Sequence, residues 1–421
     1  MAPPNSAHTA RPSKSENKQW IPEWRDVRDT AIGRSDGLAA APPQLTMAKI
    51  GLILVTLTIW RAAIGVASEV WARIGVVEPW PEEIDQLSLL RYSVRWDSGW
   101  YLTIARDGYQ HVTGEQSPIA FFPMFPMSIR FLDNVLPGSD VLAGLILVHI
   151  ALLAALIYIY KLVQIDYPDV VAWRTLFFTL MFPASFFFSA LYTESLLLLG
   201  FAGTLFHARR GQWLLAGAFG IFTGLTKLIG IVLVIPVAME IIRQQAISRE
   251  NLRPLIGAAL TPLGAVGYLA WIQIRYGDFR EYFEAQAHWL RETFSPEPFV
   301  LLVNVLMRNP PELYPYPANI TAIHDMFTVM DMGTLILFLA AGVYLWLRVR
   351  PSYGALVLAG ALVPALSGTP LALTRFMAIL FPVFILLATI KSEPVRLGLS
   401  IVFGMGLIFI TYLFVNGLWA G

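Results

Sequence analysis

The sequence predicts an all-α protein that threads a membrane many times. Three observations carry this. Of the 421 residues, 56% are hydrophobic and only 14% are charged, against about 25% charged in an average soluble protein. Mean hydropathy is +0.59. Apolar stretches approaching the about 20 residues needed to cross a bilayer recur from residue 46 onward. The 26 Phe, 15 Tyr and 13 Trp suit a chain with aromatic belts at both interfaces. A net charge of +1 implies no nucleic-acid partner. The absence of cysteine excludes disulfides, thiolate metal sites and thiol catalysis.

Residues 1–44 are rich in Pro, Ala, Ser and mixed charge, without an apolar run, and read as a disordered tail. No signal-peptide pattern precedes Leu45, so the first span, 46–71, is expected to be an uncleaved anchor. Further spans are expected at 139–163, 170–190, 192–208, 212–226, 227–243, 254–275, 324–348, 352–367, 372–390 and 396–418, about eleven in all. The pair 212–226 and 227–243 is short enough to be broken or re-entrant. Pro123, Pro126 and Pro137 make 118–137 a partly embedded loop rather than a span.

Lys and Arg set the orientation. Arg209, Arg210, Arg243, Arg249, Arg253, Arg348, Arg350, Lys391 and Arg396 fall in alternate connections, on the side of the basic tail. That side is expected to be cytoplasmic. The long connections 72–138 and 276–323 then face outside. No internal repeat is visible, and the polar residues gather at the outer ends of spans. This favours chemistry at one face over a conduction path.

Arg95-Trp96-Asp97-Ser98-Gly99-Trp100-Tyr101 opens a short interfacial helix over 97–108, stopped by Gly108. Asp97 or Ser98 reads as its N-cap. Asp97 reads equally as a general base at the bilayer surface. Asp107 reads first as a solvated helix-end residue. Ala120-Phe121-Phe122-Pro123-Met124-Phe125-Pro126 reads as a lipid-packed wall. Glu194 either complements a helix dipole or orients a substrate. Lys227, alone between apolar runs, must snorkel, pair or bind an anion. Arg375 opens another span from outside. Two cations near an outward carboxylate suggest a lipid phosphate between them. Residues 278–293 form an amphipathic helix, with Phe279, Tyr282, Phe283, Gln286, Trp289 and Leu290 toward the membrane. Glu281, Glu284, His288 and Arg291 share its other face and read as a salt-bridged stripe, with a metal site or substrate contact through His288 as alternatives.

These segments, in order, resemble the PIG-V family. The match runs through Arg95 to Tyr101, Ala105-Arg106-Asp107-Gly108-Tyr109, the 120–126 wall, Tyr192-Thr193-Glu194-Ser195 and Thr226-Lys227-Leu228-Ile229-Gly230. It continues with Tyr276-Gly277-Asp278, Ala285-Gln286-Ala287-His288-Trp289 and Arg375-Phe376. The family comprises membrane mannosyltransferases of the GT-C fold that take mannose from a polyprenyl-phosphate carrier. The resemblance, over about 50–390, implies one GT-C transmembrane catalytic domain from 45 to 421, with 1–44 a cytoplasmic tail. It implies Asp97 as the catalytic acidic residue. It also implies Arg375 and Lys227 at the donor phosphate, with Arg95, Trp96, Trp100, Asp107, Glu194, His288 and Trp289 around the substrates. A Lys at 227 departs from the Arg associated with that turn, replacing a bidentate fork by a point charge.

The expected reaction is inverting mannosyl transfer from polyprenyl-phosphate-mannose to an acceptor hydroxyl at the outer face of a bacterial plasma membrane. The partners are that donor, a lipid or glycan acceptor and membrane lipids. No cofactor or metal is required. A lipid-linked-sugar flippase, or a GT-C transferase of another sugar, remain the alternatives.

Overall fold

The computed structural model describes residues 45–75, 84, 88–248, 250–289, 291, 303, 318–369 and 372–418. The tail expected over 1–44 lies outside the described residues, as do Leu290 and parts of both long outer loops. Within the described residues the structure is built of helices and turns, with no strand.

The first span, α1 (Met47–Ile74), starts where the Thr46 hydroxyl accepts the backbone N–H of Lys49. The first long connection folds into α2 (Asp97–Asp107) and α3 (Met124–Asp133), joined by a 3-10 turn at Pro118–Ala120. Phe122, Phe125 and Ile129 are buried, so this segment is embedded against the bundle. A second long helix, α4 (Asp140–Val163), follows, capped by the Ser139 hydroxyl. Next come α5 (Asp169–Met181), α6 (Glu194–Arg209), α7 (Trp213–Thr226), α8 (Val234–Arg243), α9 (Arg253–Leu260), α10 (Leu263–Tyr276) and the short α11 (Glu281–Ala287). The chain closes with α12 (Ala318–Tyr344), α13 (Pro351–Ala365), α14 (Leu373–Ala378), α15 (Pro382–Ala388) and α16 (Glu393–Val415).

The helices long enough to cross a bilayer unbroken are fewer than the about eleven expected spans. Among the described residues four helical segments are long and apolar enough to cross a bilayer: Met47–Ile74, Asp140–Val163, Thr328–Val349 and Glu393–Val415. A fifth arises if Arg253–Leu260 and Leu263–Tyr276, bent by 48° at their break, form one span. The other apolar runs are shorter or interrupted. The expected span at 170–190 ends at Met181 and becomes a 3-10 segment at Pro183–Phe188. The expected span at 372–390 divides into α14 and α15 before Pro382. Proline removes backbone donors and clashes with the preceding turn. Such breaks survive because protein, not lipid, surrounds them: Phe186, Phe187, Phe188 and residues 373–385 are buried.

The short α6 is almost wholly buried and packs between α4 and α7. The expected broken pair is present. It runs α7, extended Lys227, a 3-10 segment at Leu228–Leu233, then α8. A Cβ at Gly230 would lie 2.6 Å from the backbone of Thr223 and Gly224, so only glycine lets the chain fold back here. Gly224 itself presses on the α10 backbone, where a Cβ would meet Ala265 N at 2.6 Å. Small residues permit this approach where lipid supplies no hydrophobic drive between helices. The fold-back leaves Lys227 in extended backbone at the edge of a cavity.

Candidate active site

The segment before α2 turns sharply. Ser98 N–H donates to the Arg95 carbonyl at 3.1 Å, and Trp96 takes φ 54° and ψ −117°. A tryptophan at positive φ is strained, and such strain concentrates at functional sites. The expected cap is corrected. Trp96 is the N-cap and makes no side-chain cap bond, while Asp97 is the first helical residue. The Ser98 hydroxyl accepts from Arg95 N–H at 3.3 Å and donates to the Leu191 carbonyl at 3.2 Å. It therefore ties the turn to the loop before α6. The Asp97 carboxylate is turned instead toward Arg375, with Oδ2 3.5 Å from Nη2.

Arg375 lies on α14 and is 7% exposed. Its Nε is 3.2 Å from Glu194 Oε1, and the same oxygen is 4.0 Å from Lys227 Nζ. Glu194 opens α6, so its charge also meets the positive end of that helix. A third cation, Arg291, enters from the second long connection and donates to Ser367 Oγ at 2.8 Å. All three cations surround one ring. Lys227 Nζ lies 4.4 Å, Arg291 Cζ 5.0 Å and Arg375 Cζ 5.7 Å from the Phe376 centroid. Cation–π attraction to one phenyl holds three like charges at close quarters. Arg375 also faces the Phe187 and Tyr192 rings, each centroid at 5.2 Å. Burial, with Arg375 nearby, pushes the Arg291 guanidinium down to about 10, so it remains charged at neutral pH. Burial, with Asp97 and Glu194 nearby, raises the Tyr101 phenol well above its usual value and keeps it protonated.

The cavity beside this cluster is about 180 Å³, several times the roughly 30 Å³ share of one liquid water. It can hold a small organic group. Asp97, Lys227, Arg291 and Arg375 lie on its wall, as do Trp96 and Trp289. Its wall thus carries three cationic side chains and one carboxylate.

Several candidate residues stand elsewhere. The Trp100 indole does not line the cavity but stacks on Phe121 and meets Trp289 edge-on, bracing the wall. Arg95 donates to the Val415 carbonyl at 3.0 Å and is not on the cavity wall. Asp107 is exposed at the end of α2. The expected helix over 278–293 is corrected to α11, Glu281–Ala287, and its polar stripe divides. Glu281 Oε2 pairs with His111 Nε2 at 3.0 Å, whereas Glu284 and His288 are exposed and away from the cavity. Arg291 turns into the site because the helix stops four residues before it, so helical spacing no longer governs where it points. Among the described residues no group of three or more metal-ligating side chains occurs. The sequence reading missed Arg291 as a site residue. The motif Ala285-Gln286-Ala287-His288-Trp289, with a basic residue two positions after its tryptophan, was the available signal.

An all-helical membrane bundle with a mixed-charge cavity among its helix ends is the class these observations define. A family model described as Mannosyltransferase (PIG-V) matches residues 46–269, more than half of the chain. The chain belongs to that family, as the ordered motifs indicated. The matched stretch includes Asp97, Glu194 and Lys227 but not Arg291 or Arg375. Among solved structures the chain is similar to ArnT from Cupriavidus metallidurans bound to undecaprenyl phosphate. The identity is 14% and the TM-score 0.47, over 83% of this chain and 62% of that one. It is also similar to the Archaeoglobus fulgidus oligosaccharyltransferase in its apo form, at 14% identity and TM-score 0.39, over 86% of this chain and 56% of that one. The chain thus spans less than two thirds of the length of these proteins. No curated protein matches the sequence.

Proposed function

We propose that the protein transfers mannose, with inversion, from polyprenyl-phosphate-mannose to an acceptor hydroxyl. The observation that carries this is one cavity holding Asp97 together with Lys227, Arg291 and Arg375 around Phe376. A phosphate leaving group is already stable as an anion and needs cations rather than a proton donor. An acceptor hydroxyl is a poor nucleophile and needs a base. Asp97 takes the hydroxyl proton while that oxygen forms a bond to the sugar C1. The C1–O bond to phosphate breaks, and its electron pair leaves with the polyprenyl phosphate. A β-linked donor gives an α-linked product by this single displacement. One carboxylate suffices, unlike the two of a hydrolase. Glu194 holds Arg375 in place, and Trp96 and Trp289 offer flat apolar walls to the sugars.

The reading includes orientation. Arg209, Arg243, Arg350, Lys391 and Arg396 lie at helix ends away from the cavity, and basic residues favour the cytoplasmic side. The cavity then opens at the outer face of a bacterial plasma membrane, where the donor carrier presents its sugar. The family name fits mannose, and the polyprenyl phosphate of the ArnT structure fits the carrier.

The test uses purified protein with a panel of polyprenyl-phosphate sugars and mass-spectrometric detection of released polyprenyl phosphate. Mannose should be the sugar transferred. Asp97→Asn should lower transfer about 10²–10⁴-fold with an unchanged melting temperature in detergent. Full activity in that variant sinks the mechanism. Movement of intact carrier across vesicles without release identifies a transporter instead.

A further inference from the structure

The turn that delivers Arg375 is held from a different helix. Ala372 sits at φ 67° and ψ 14°, a left-handed conformation that a non-glycine residue adopts at a cost. The chain enters α14 directly afterwards. A left-handed residue followed by a right-handed one turns consecutive backbone N–H groups into one concavity, which attracts an anion. The occupant here is the side chain of Asp331, from α12. It is 2% exposed, and its Oδ1 accepts the Thr374 N–H at 2.7 Å. Thr374 Oγ1 also donates to Thr334 Oγ1 of α12 at 3.4 Å. Arg375 is the next residue.

We propose that Asp331 is the positioning residue for Arg375. It touches neither Asp97 nor Glu194. Its carboxylate offsets the cost of the left-handed Ala372 and satisfies a buried donor at the start of a helix only six residues long. A helix so short does not hold itself in place, so the direction of Arg375 is set by what pins its first turn. Without that pin the guanidinium loses its approach to Asp97 and Glu194, at 3.5 and 3.2 Å. This inference rests on the proposed assignment of Arg375 to the donor phosphate.

The test measures binding of undecaprenyl phosphate and mannosyl transfer in the full-length protein. Asp331→Asn keeps an acceptor oxygen and should stay within about threefold of the parent in both. Asp331→Leu leaves the Thr374 N–H unsatisfied and should weaken binding at least about tenfold. Adding Ala372→Gly to Asp331→Leu should recover much of that loss, because glycine needs no help at positive φ. If Asp331→Leu does not fold, Asp331→Ser with and without Ala372→Gly gives the same readout. Unchanged binding in Asp331→Leu overturns the proposal. Equal losses in the Asn and Leu variants, with no rescue by glycine, also overturn it, since the charge itself would then be what matters. Arg375→Ala is the control. If that variant binds undecaprenyl phosphate normally, the phosphate assignment fails. If it loses binding while Asp331→Leu does not, only the positioning role fails.

Discussion

Two clusters of charge lie at opposite ends of α6, and they are built differently. At its first residue, Glu194 belongs to the cavity cluster. At its last, Arg209 makes two bonds to Asp166 at 2.6 and 2.8 Å and a third to Tyr353 Oη at 2.7 Å. Beside it, Arg350 forks onto Glu240 at 2.6 and 2.7 Å, and Ser352 and Gln244 donate to the same carboxylate. A 16-residue helix separates the ends by roughly 22 Å. In the Arg209–Glu240 network each carboxylate meets a matching guanidinium at hydrogen-bond distance. In the cavity cluster the ion-pair distances run from 3.2 to 4.0 Å. Charge paired at close range locks helices together. Looser charge beside a cavity is what an anionic ligand can complete. Helix ends alone do not distinguish the two, since both clusters sit at them. The stoichiometry and distances do.

The largest expected effect breaks the saturated network. Glu240→Leu leaves Arg350 buried without its partner and should cost about 3–5 kcal/mol of stability, read as a steep fall in folded yield and melting temperature. A variant that melts like the parent would erase the contrast between the clusters. Next, Arg291→Leu in the cavity cluster should reduce transfer about 10²-fold with little change in melting temperature. A stability loss matching that of Glu240→Leu would make Arg291 a structural residue. Arg375→Lys keeps the charge but loses the planar fork, and should lower transfer about tenfold, measured as released polyprenyl phosphate. The smallest effect sharpens the picture of strain at the site. Trp96→Gly should raise stability by about 1 kcal/mol, because glycine accepts φ 54° freely. It should also reduce transfer, because the indole lines the cavity. A fall in stability would place the indole's value in packing.

Much of the candidate site was legible in the chain because its residues stand out locally. Lys227 interrupts an apolar run, where a cation is costly. Asp97, Glu194 and Arg375 sit where greasy segments begin. Their convergence was not legible. Arg375 meets Asp97 and Glu194 across separations of more than 180 residues, and no periodicity encodes such pairings. The stripe at Glu281, Glu284, His288 and Arg291 failed for a related reason. Helical spacing assigns a common face only while the helix lasts, and α11 ends at Ala287. Hydropathy reports which residues avoid water, not whether lipid or protein surrounds them, so it does not separate straight spans from buried broken segments. Segments such as 183–188 are as apolar as a span, yet irregular, because neighbouring helices enclose them.

The sequence by itself determined that this is a helical membrane protein, that its chemistry-bearing residues cluster at span ends, and which family its ordered motifs belong to. Those properties are sums over local patterns: hydropathy, turn residues and short runs at fixed spacing. Only the tertiary structure decided that Arg291 joins the cavity, that Phe376 lies among three cations, and that Asp331 pins the turn before Arg375. It also decided which charges pair at close range and which face the cavity. Those outcomes depend on side chains brought together by packing across distant segments, and no local pattern in the sequence encodes such meetings.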